Sequence, residues 1–337
     1  MDRTAWIVIG VCAALLGLNI YMGNNKKEEP VPAAPAPVQQ TAAAPASVPA
    51  PGAQAPAAPS APEQPSVNKA LEEDKTSPIT LTATQEADGK QEPFITYTFN
   101  RIGGSIGAVT LHNDIVDSQK VADHNITINE AQQRGIGELV FNMDATQDPS
   151  YDNTVYKEVS RTADSVTLEG YDPARQLFIS KTYTLHPVKN LEGKVLPGSK
   201  YLIRLTVSLL NKSSNVQDLR YMGIFGGSAY PIAKSEPKDT YTHFFYHADG
   251  SLEQEVPSYF TGGFFSTAKA RGLEGPLQDL TYAGVMSQYY ATILLPQNES
   301  KGSTVYATRQ EFPLAHENNT LVPGVTVAMG IPNPVSY

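Results

Sequence analysis

The 337-residue chain has a single cysteine, Cys12, which excludes a disulfide framework and a cysteine-rich metal site. Basic charge is also short. There are 25 Lys and Arg against 34 Asp and Glu, a formal net charge of −9. That balance argues against nucleic acid as the main partner, because phosphate recognition needs clustered Lys and Arg. After Met22 no apolar run is long enough to cross a bilayer. Sustained helical periodicity is hard to find in the same stretch. A Gly-x-Ser-x-Gly nucleophile elbow is absent. Gly103-Gly104-Ser105-Ile106-Gly107 has the glycines of a phosphate loop but not its Lys-Ser/Thr, and the strand-like Ala108-Val109-Thr110-Leu111 follows. Those glycines fit a bulge or a tight approach of backbone instead.

Proline is plentiful, and unevenly so. Eleven of the 26 prolines fall between residues 30 and 66. The chain therefore reads as three segments, an anchor (1–25), a tether (26–76) and a folded domain (77–337). Ala5 to Met22 is uncharged, and 18 helical residues span ~27 Å, close to the thickness of a bilayer core. Trp6 and Tyr21 sit near its ends, at headgroup level. No small-x-small cleavage pattern follows, so the expectation is an uncleaved membrane span with Cys12 inert inside it. The tether has too little aliphatic bulk to fold, and its prolines favour an extended spacer. Val67 to Lys75 can form a short helical turn before Pro78.

The third segment alternates with period two. Ile203, Leu205, Val207 and Leu209 share one face, and Arg204, Thr206 and Ser208 the other. Ile95, Tyr97 and Phe99 repeat the pattern, as do Val166 with Leu168, Tyr183 with Leu185, and Val325, Val327 and Met329. Turn signals separate these runs at Asp88-Gly89, Asn211 to Asn215, Asp249-Gly250, Asn298 to Gly302 and Pro323-Gly324. The fold class expected is mainly β, a large antiparallel sandwich after one transmembrane helix and a disordered linker.

Few residues suggest chemistry. His243 and His247 are four apart, but their aromatic and threonine-rich surroundings read as strand or loop. On a strand they stand ~13 Å apart, too far for one metal ion. His112, His124, His186 and His316 stand alone. Sequons such as Asn125-Ile-Thr and Asn298-Glu-Ser carry meaning only in a eukaryotic secretory pathway. The residues single out no catalytic, cofactor-binding or metal-binding set.

Three segments together resemble the YidC family of bacterial membrane protein insertases. They are Asn100-Arg-Ile-Gly-Gly-Ser-Ile-Gly-Ala-Val-Thr-Leu111, then Lys181-Thr-Tyr-Thr-Leu185 with Leu202 to Asn215, and Tyr282-Ala-Gly-Val-Met-Ser-Gln-Tyr-Tyr-Ala-Thr-Ile-Leu-Leu-Pro296. The resemblance covers nearly the whole chain, including the order of anchor, tether and β domain. It implies a β-supersandwich similar to galactose mutarotase-like proteins, in the periplasm, with the N-terminus in the cytoplasm and the span in the inner membrane. It implies no enzymatic chemistry and no cofactor. The implied role is to assist insertion and folding of membrane proteins, through contacts with the Sec translocon or emerging chains. The family's inserting core, a bundle of five helices, has no counterpart in these residues, so the expectation is a fragment of a longer insertase. A membrane-anchored carbohydrate-binding or carbohydrate-active domain is the alternative. It needs convergent histidines and carboxylates in an open cleft.

Overall fold

A computed structural model describes residues 66–112, 125–129, 134–143, 149–196, 198–217, 219, 221–232, 236, 240–261, 272–297, 302–314 and 320–331. All of them belong to the unit Ser60–Tyr337. The expected membrane span, Cys12 and most of the tether lie outside the described residues, as do His124, His316 and Asn298. Among the described residues, no helix is long and apolar enough to cross a membrane.

The described chain opens on α1 (Val67–Thr76), the one α-helix in this set. Ser66 caps it by accepting the Lys69 N–H, and Pro78 follows its end. The helix matches the Val67 to Lys75 stretch to within one residue, and it is tied to the β domain. Arg101 donates through Nη1 to Asp74 at 2.6 Å, pairs through Nε with Glu73 at 3.2 Å, and reaches the Ser77 carbonyl through Nη2. Ala70 is fully buried. The stretch assigned to a disordered tether therefore ends at a docked helix that begins ten residues earlier than the expected start of the folded part.

The strands of the described residues pair antiparallel throughout, with two short 3-10 turns at Ser199–Tyr201 and Pro257–Phe260. Strands β1 (Ile79–Ala87), β2 (Lys90–Asn100), β3 (Ser105–His112) and β4 (Asn125–Ile128) form one sheet in that order. Asp88-Gly89 turns β1 into β2 with both residues at positive φ, the geometry that matches strand twist in a two-residue hairpin. On its outer face cross-strand threonines bond each other, Thr82 to Thr96 at 3.0 Å and Thr110 to Thr127 at 3.2 Å. Two short strands come next, β5 (Leu139–Phe141) and β6 (Ser150–Tyr151). Then β7 (Tyr156–Arg161), β8 (Ser165–Asp172), β9 (Leu177–Leu185) and β10 (Ile203–Asn211) build a second four-stranded sheet. In β10 residues alternate half-buried and exposed at every position from Ile203 to Asn211, as period two requires.

The first two sheets share a core of Ile79, Leu81, Tyr97, Phe99, Val166, Leu168, Ile179 and Tyr183 among others. Each large apolar side chain removed from water there contributes about 1.5–3 kcal/mol. The remaining strands are β11 (Gly223–Ala229), β12 (His243–Ala248), β13 (Ser251–Glu255), β14 (Gly272–Leu277), β15 (Leu280–Met286), β16 (Ala291–Leu294), β17 (Ser303–Pro313) and β18 (Leu321–Gly330). They make a six-stranded sheet in the order β14-β17-β18-β11-β5-β6 and a four-stranded one in the order β13-β12-β15-β16. Phe244, Leu280, Ala283 and Val285 from the smaller sheet meet Val305, Ala307, Val325 and Val327 from the larger. The molecule is thus mainly β and sandwich-like.

One expected turn is not a turn. Pro323 and Gly324 lie inside β18, opposite Glu311 and Gln310 of β17. Glycine is needed there for close approach rather than for a bend. A Cβ at Gly324 would stand 2.5 Å from the Ala229 carbonyl oxygen and from the Phe312 ring.

Candidate functional site

The densest set of buried polar groups sits where three sheets meet. Lys181 lies on β9, in phase with Leu177, Ile179 and Tyr183, so strand geometry sends it into the core. Its side chain is 0% exposed. Lys181 Nζ donates to the Gly103 carbonyl at 2.6 Å and the Gly137 carbonyl at 3.0 Å. Asp152 Oδ2 stands 3.7 Å away and is equally enclosed. Asp152 is itself held by the Tyr156 hydroxyl at 2.6 Å and by the Thr154 N–H at 3.0 Å. Glu138 completes the group. It accepts from Arg134 at 3.0 Å and from the Gly135 N–H at 3.3 Å, with its side chain 3% exposed.

The glycine run supplies the other half. Gly103 and Gly104 both have positive φ, and β3 starts directly after them. Tyr183 donates its hydroxyl to the Gly104 carbonyl at 2.9 Å. A Cβ on Gly104 would meet the Tyr156 ring at 2.6 Å, and one on Gly103 would meet Glu138 at 3.0 Å. So the glycines give the tight backbone approach expected of them, with Tyr156 and Glu138 as the close neighbours and Lys181 bonding the Gly103 carbonyl.

Burial dominates the electrostatics. It pulls the Lys181 ammonium down to about 8, against the charges of Asp152 and Glu138. It pushes the Glu138 carboxyl up to about 7, against Arg134, Lys181 and the Gly135 N–H. Tyr156 is held well above its ordinary value by burial and then by Asp152. Near-neutral values in a cluster mark active sites in many enzymes. Here, however, Lys181 and Asp152 are sealed from solvent, so a substrate cannot reach them. What the cluster does is tie the β2–β3 turn, the β5–β6 region and β9 together.

A pH dependence follows. The ordinary carboxyl value is 4.5, and Glu138 in the fold titrates at about 7. Between these values the folded chain binds more protons than the unfolded one, so this group's contribution falls as pH rises from about 4.5 to about 7. For Lys181 the order reverses. Its folded value of about 8 lies below the ordinary 10.5, so its contribution rises between them. Urea unfolding of wild type against Glu138→Gln should show a stability difference that changes by roughly 3 kcal/mol between pH 4.5 and 7.5 and is flat at lower pH. A difference that stays constant over that range would mean that Glu138 remains ionised in the fold.

The described histidines do not converge on this cluster. His112 bonds Thr96 at 2.8 Å, His186 bonds Arg204 at 2.7 Å, and His247 stacks on Tyr282 with ring centroids 5.4 Å apart. His243 and His247 both lie on β12, at its start and near its end, opposite Met286 and Tyr282 of β15. Among the described residues, no group of three or more His, Cys, Asp or Glu could hold a metal ion.

A second feature is a small cleft between the end of β4, β11 and the turn joining β15 to β16, with a volume of about 20 Å³, room for about one water. Asn129, Ser228, Tyr230, Ser287, Tyr290 and Thr292 are among the residues that line it. No protein-family profile matches the chain, and a search of curated proteins finds no match either.

Proposed function

We propose that this chain is the anchored periplasmic part of a YidC-type membrane protein insertase, with a galactose mutarotase-like β-supersandwich. Its role is to assist insertion through contact with the Sec translocon or with chains leaving it. One observation carries this reading. Two of the three family-like segments meet directly, because Lys181 and Tyr183 of one bond the Gly103 and Gly104 carbonyls of the other. The third segment is a unit as well. Tyr282–Pro296 contains the β15–β16 hairpin, whose turn is closed by the Ser287 N–H on the Tyr290 carbonyl. Segments that resemble a family by chance would have no reason to share one polar core.

This reading assigns the domain no catalytic step. The buried carboxylates and lysine are enclosed, and the described histidines bond separate neighbours. A carbohydrate-active site would need these groups to converge in an open cleft.

Translation-arrested inner-membrane protein chains test the reading. A photoreactive residue in their exported loop should label this protein in membrane vesicles. Labelling of the translocon with no adduct to this chain would count against it.

A further inference from the structure

The connection from β9 to β10 turns apolar side chains outward. Six exposed large apolar residues fall between Val188 and Leu202, a denser run than in any other described stretch of that length. Every residue from Pro187 to Leu196 is exposed, and Leu191 at the tip is fully so. Yet the segment is a built hairpin and not a loose loop. Lys189 pairs with Val195 in an antiparallel bridge, and the Val188 carbonyl accepts the Leu196 N–H at 2.8 Å. Asn190 Oδ1 accepts the N–H groups of Glu192 at 3.0 Å and Lys194 at 2.9 Å, and Gly193 supplies the positive φ of the turn. Ser199 Oγ accepts the Val188 N–H at 3.1 Å and reaches the Leu196 carbonyl at 2.8 Å. The base is held to the first sheet, by Tyr201 set edge-on to Phe94 and by Lys200 bonding Gln85. Apolar groups fixed in this way lose little freedom when they are covered.

Charge narrows the class of partner. The whole chain carries a net charge of −9, but from His186 to Leu202 three lysines, Lys189, Lys194 and Lys200, stand against one acid, Glu192. The surface that covers this hairpin is therefore negative. Lysine is depleted and aromatic residues are enriched at protein–protein interfaces. The arm from Val188 to Leu196 has the opposite composition, with two lysines and no aromatic residue. Apolar tips flanked by lysines suit a bilayer instead, because the tip enters the acyl boundary while long basic side chains extend to headgroups. We propose that this hairpin docks on an anionic lipid bilayer, with Leu191 in the headgroup–acyl boundary and Lys189 and Lys194 on lipid phosphates. The inference rests on the membrane placement in the reading above and not on the insertase role.

The test uses the full 337-residue chain in vesicles of phosphatidylcholine, with or without phosphatidylglycerol, whose acyl chains carry bromine as a tryptophan quencher. Wild type has one tryptophan, Trp6, so its quenching reports the anchor alone. Trp6→Phe with Leu191→Trp moves the reporter to the hairpin tip, and Trp6→Phe with Leu252→Trp moves it to an exposed position on β13. Fluorescence from position 191 should fall by at least about half in anionic vesicles, and fluorescence from position 252 should not fall. Adding Lys189→Gln and Lys194→Gln, or omitting phosphatidylglycerol, should remove most of the quenching at 191. Position 191 no more quenched than position 252 overturns the proposal, whatever Trp6 shows. Equal quenching at 191 in neutral and anionic vesicles overturns it too, because the lysines then have no part in docking. An unquenched Trp6 removes the anchor separately.

Discussion

Lys181→Met should destabilise the domain by about 3–5 kcal/mol, the usual cost of removing one partner from a buried ion pair. Methionine fills much the same volume, so the loss is electrostatic rather than a cavity effect. Without the ammonium, the Gly103 and Gly137 carbonyls lose donors at 2.6 and 3.0 Å, and Asp152 loses its opposite charge at 3.7 Å. Three groups are then left in a space that water does not enter. Urea unfolding followed by tyrosine fluorescence measures the effect. The double variant Lys181→Met with Asp152→Asn should recover part of the loss, because it no longer strands a carboxylate. A Lys181→Met variant within about 1 kcal/mol of wild type would mean that the three sheets do not depend on this residue to stay joined.

Gly104→Ala should cost about 2–5 kcal/mol, from two terms. Its φ of +51° lies in the left-handed region, where a Cβ costs roughly 1–2 kcal/mol. The added methyl group would also stand 2.6 Å from the Tyr156 ring, and overpacking of this kind costs about 1–3 kcal/mol. Tyr156 is fully buried and its hydroxyl is committed to Asp152, so the ring cannot swing aside. Gly89→Ala is the control. It has φ +74° but nothing within 4 Å of its new Cβ, so it should show the first term alone. Equal thermal shifts for the two variants would show that the approach of Tyr156 to the glycine turn costs nothing to disturb.

These two positions show what can be read from the sequence and what cannot. The glycine run is visible as a place needing close backbone approach, because no phosphate-loop lysine follows it. What approaches it is not visible, since Tyr156 is over 50 residues further along. Lys181 did leave a signal. Period two puts it on the same face as Leu177, Ile179 and Tyr183, and a charge on an otherwise apolar face demands a buried partner. That partner, Asp152, comes just after a two-residue strand with no periodicity to detect. Glu138 likewise sits just before a three-residue strand.

The strand pattern was legible where one face of a sheet meets solvent, as in β10. In β18 the alternation of Val325, Val327 and Met329 holds as well, although residues from Gly324 to Gly330 are all buried. That strand is covered on both sides, by Val325, Val327 and Met329 against one core and Ala328 against another. Pro323-Gly324 mimicked a turn for the same reason, because a crowded interior strand uses glycine where a surface chain would bend. The cleft beside β11 left no sequence signal. Its lining runs from Ile128 to Thr292, stretches that only the fold brings together.

Crosslinking from the β domain itself tests the central claim most directly. A photoreactive amino acid placed at exposed positions of β10 and at Tyr289, in the full-length protein in native inner membranes, is irradiated and its adducts are identified by mass spectrometry. The account predicts adducts to Sec subunits or to membrane proteins in the course of insertion. Adducts confined to unrelated envelope proteins, unchanged when membrane protein synthesis is stopped, would contradict it.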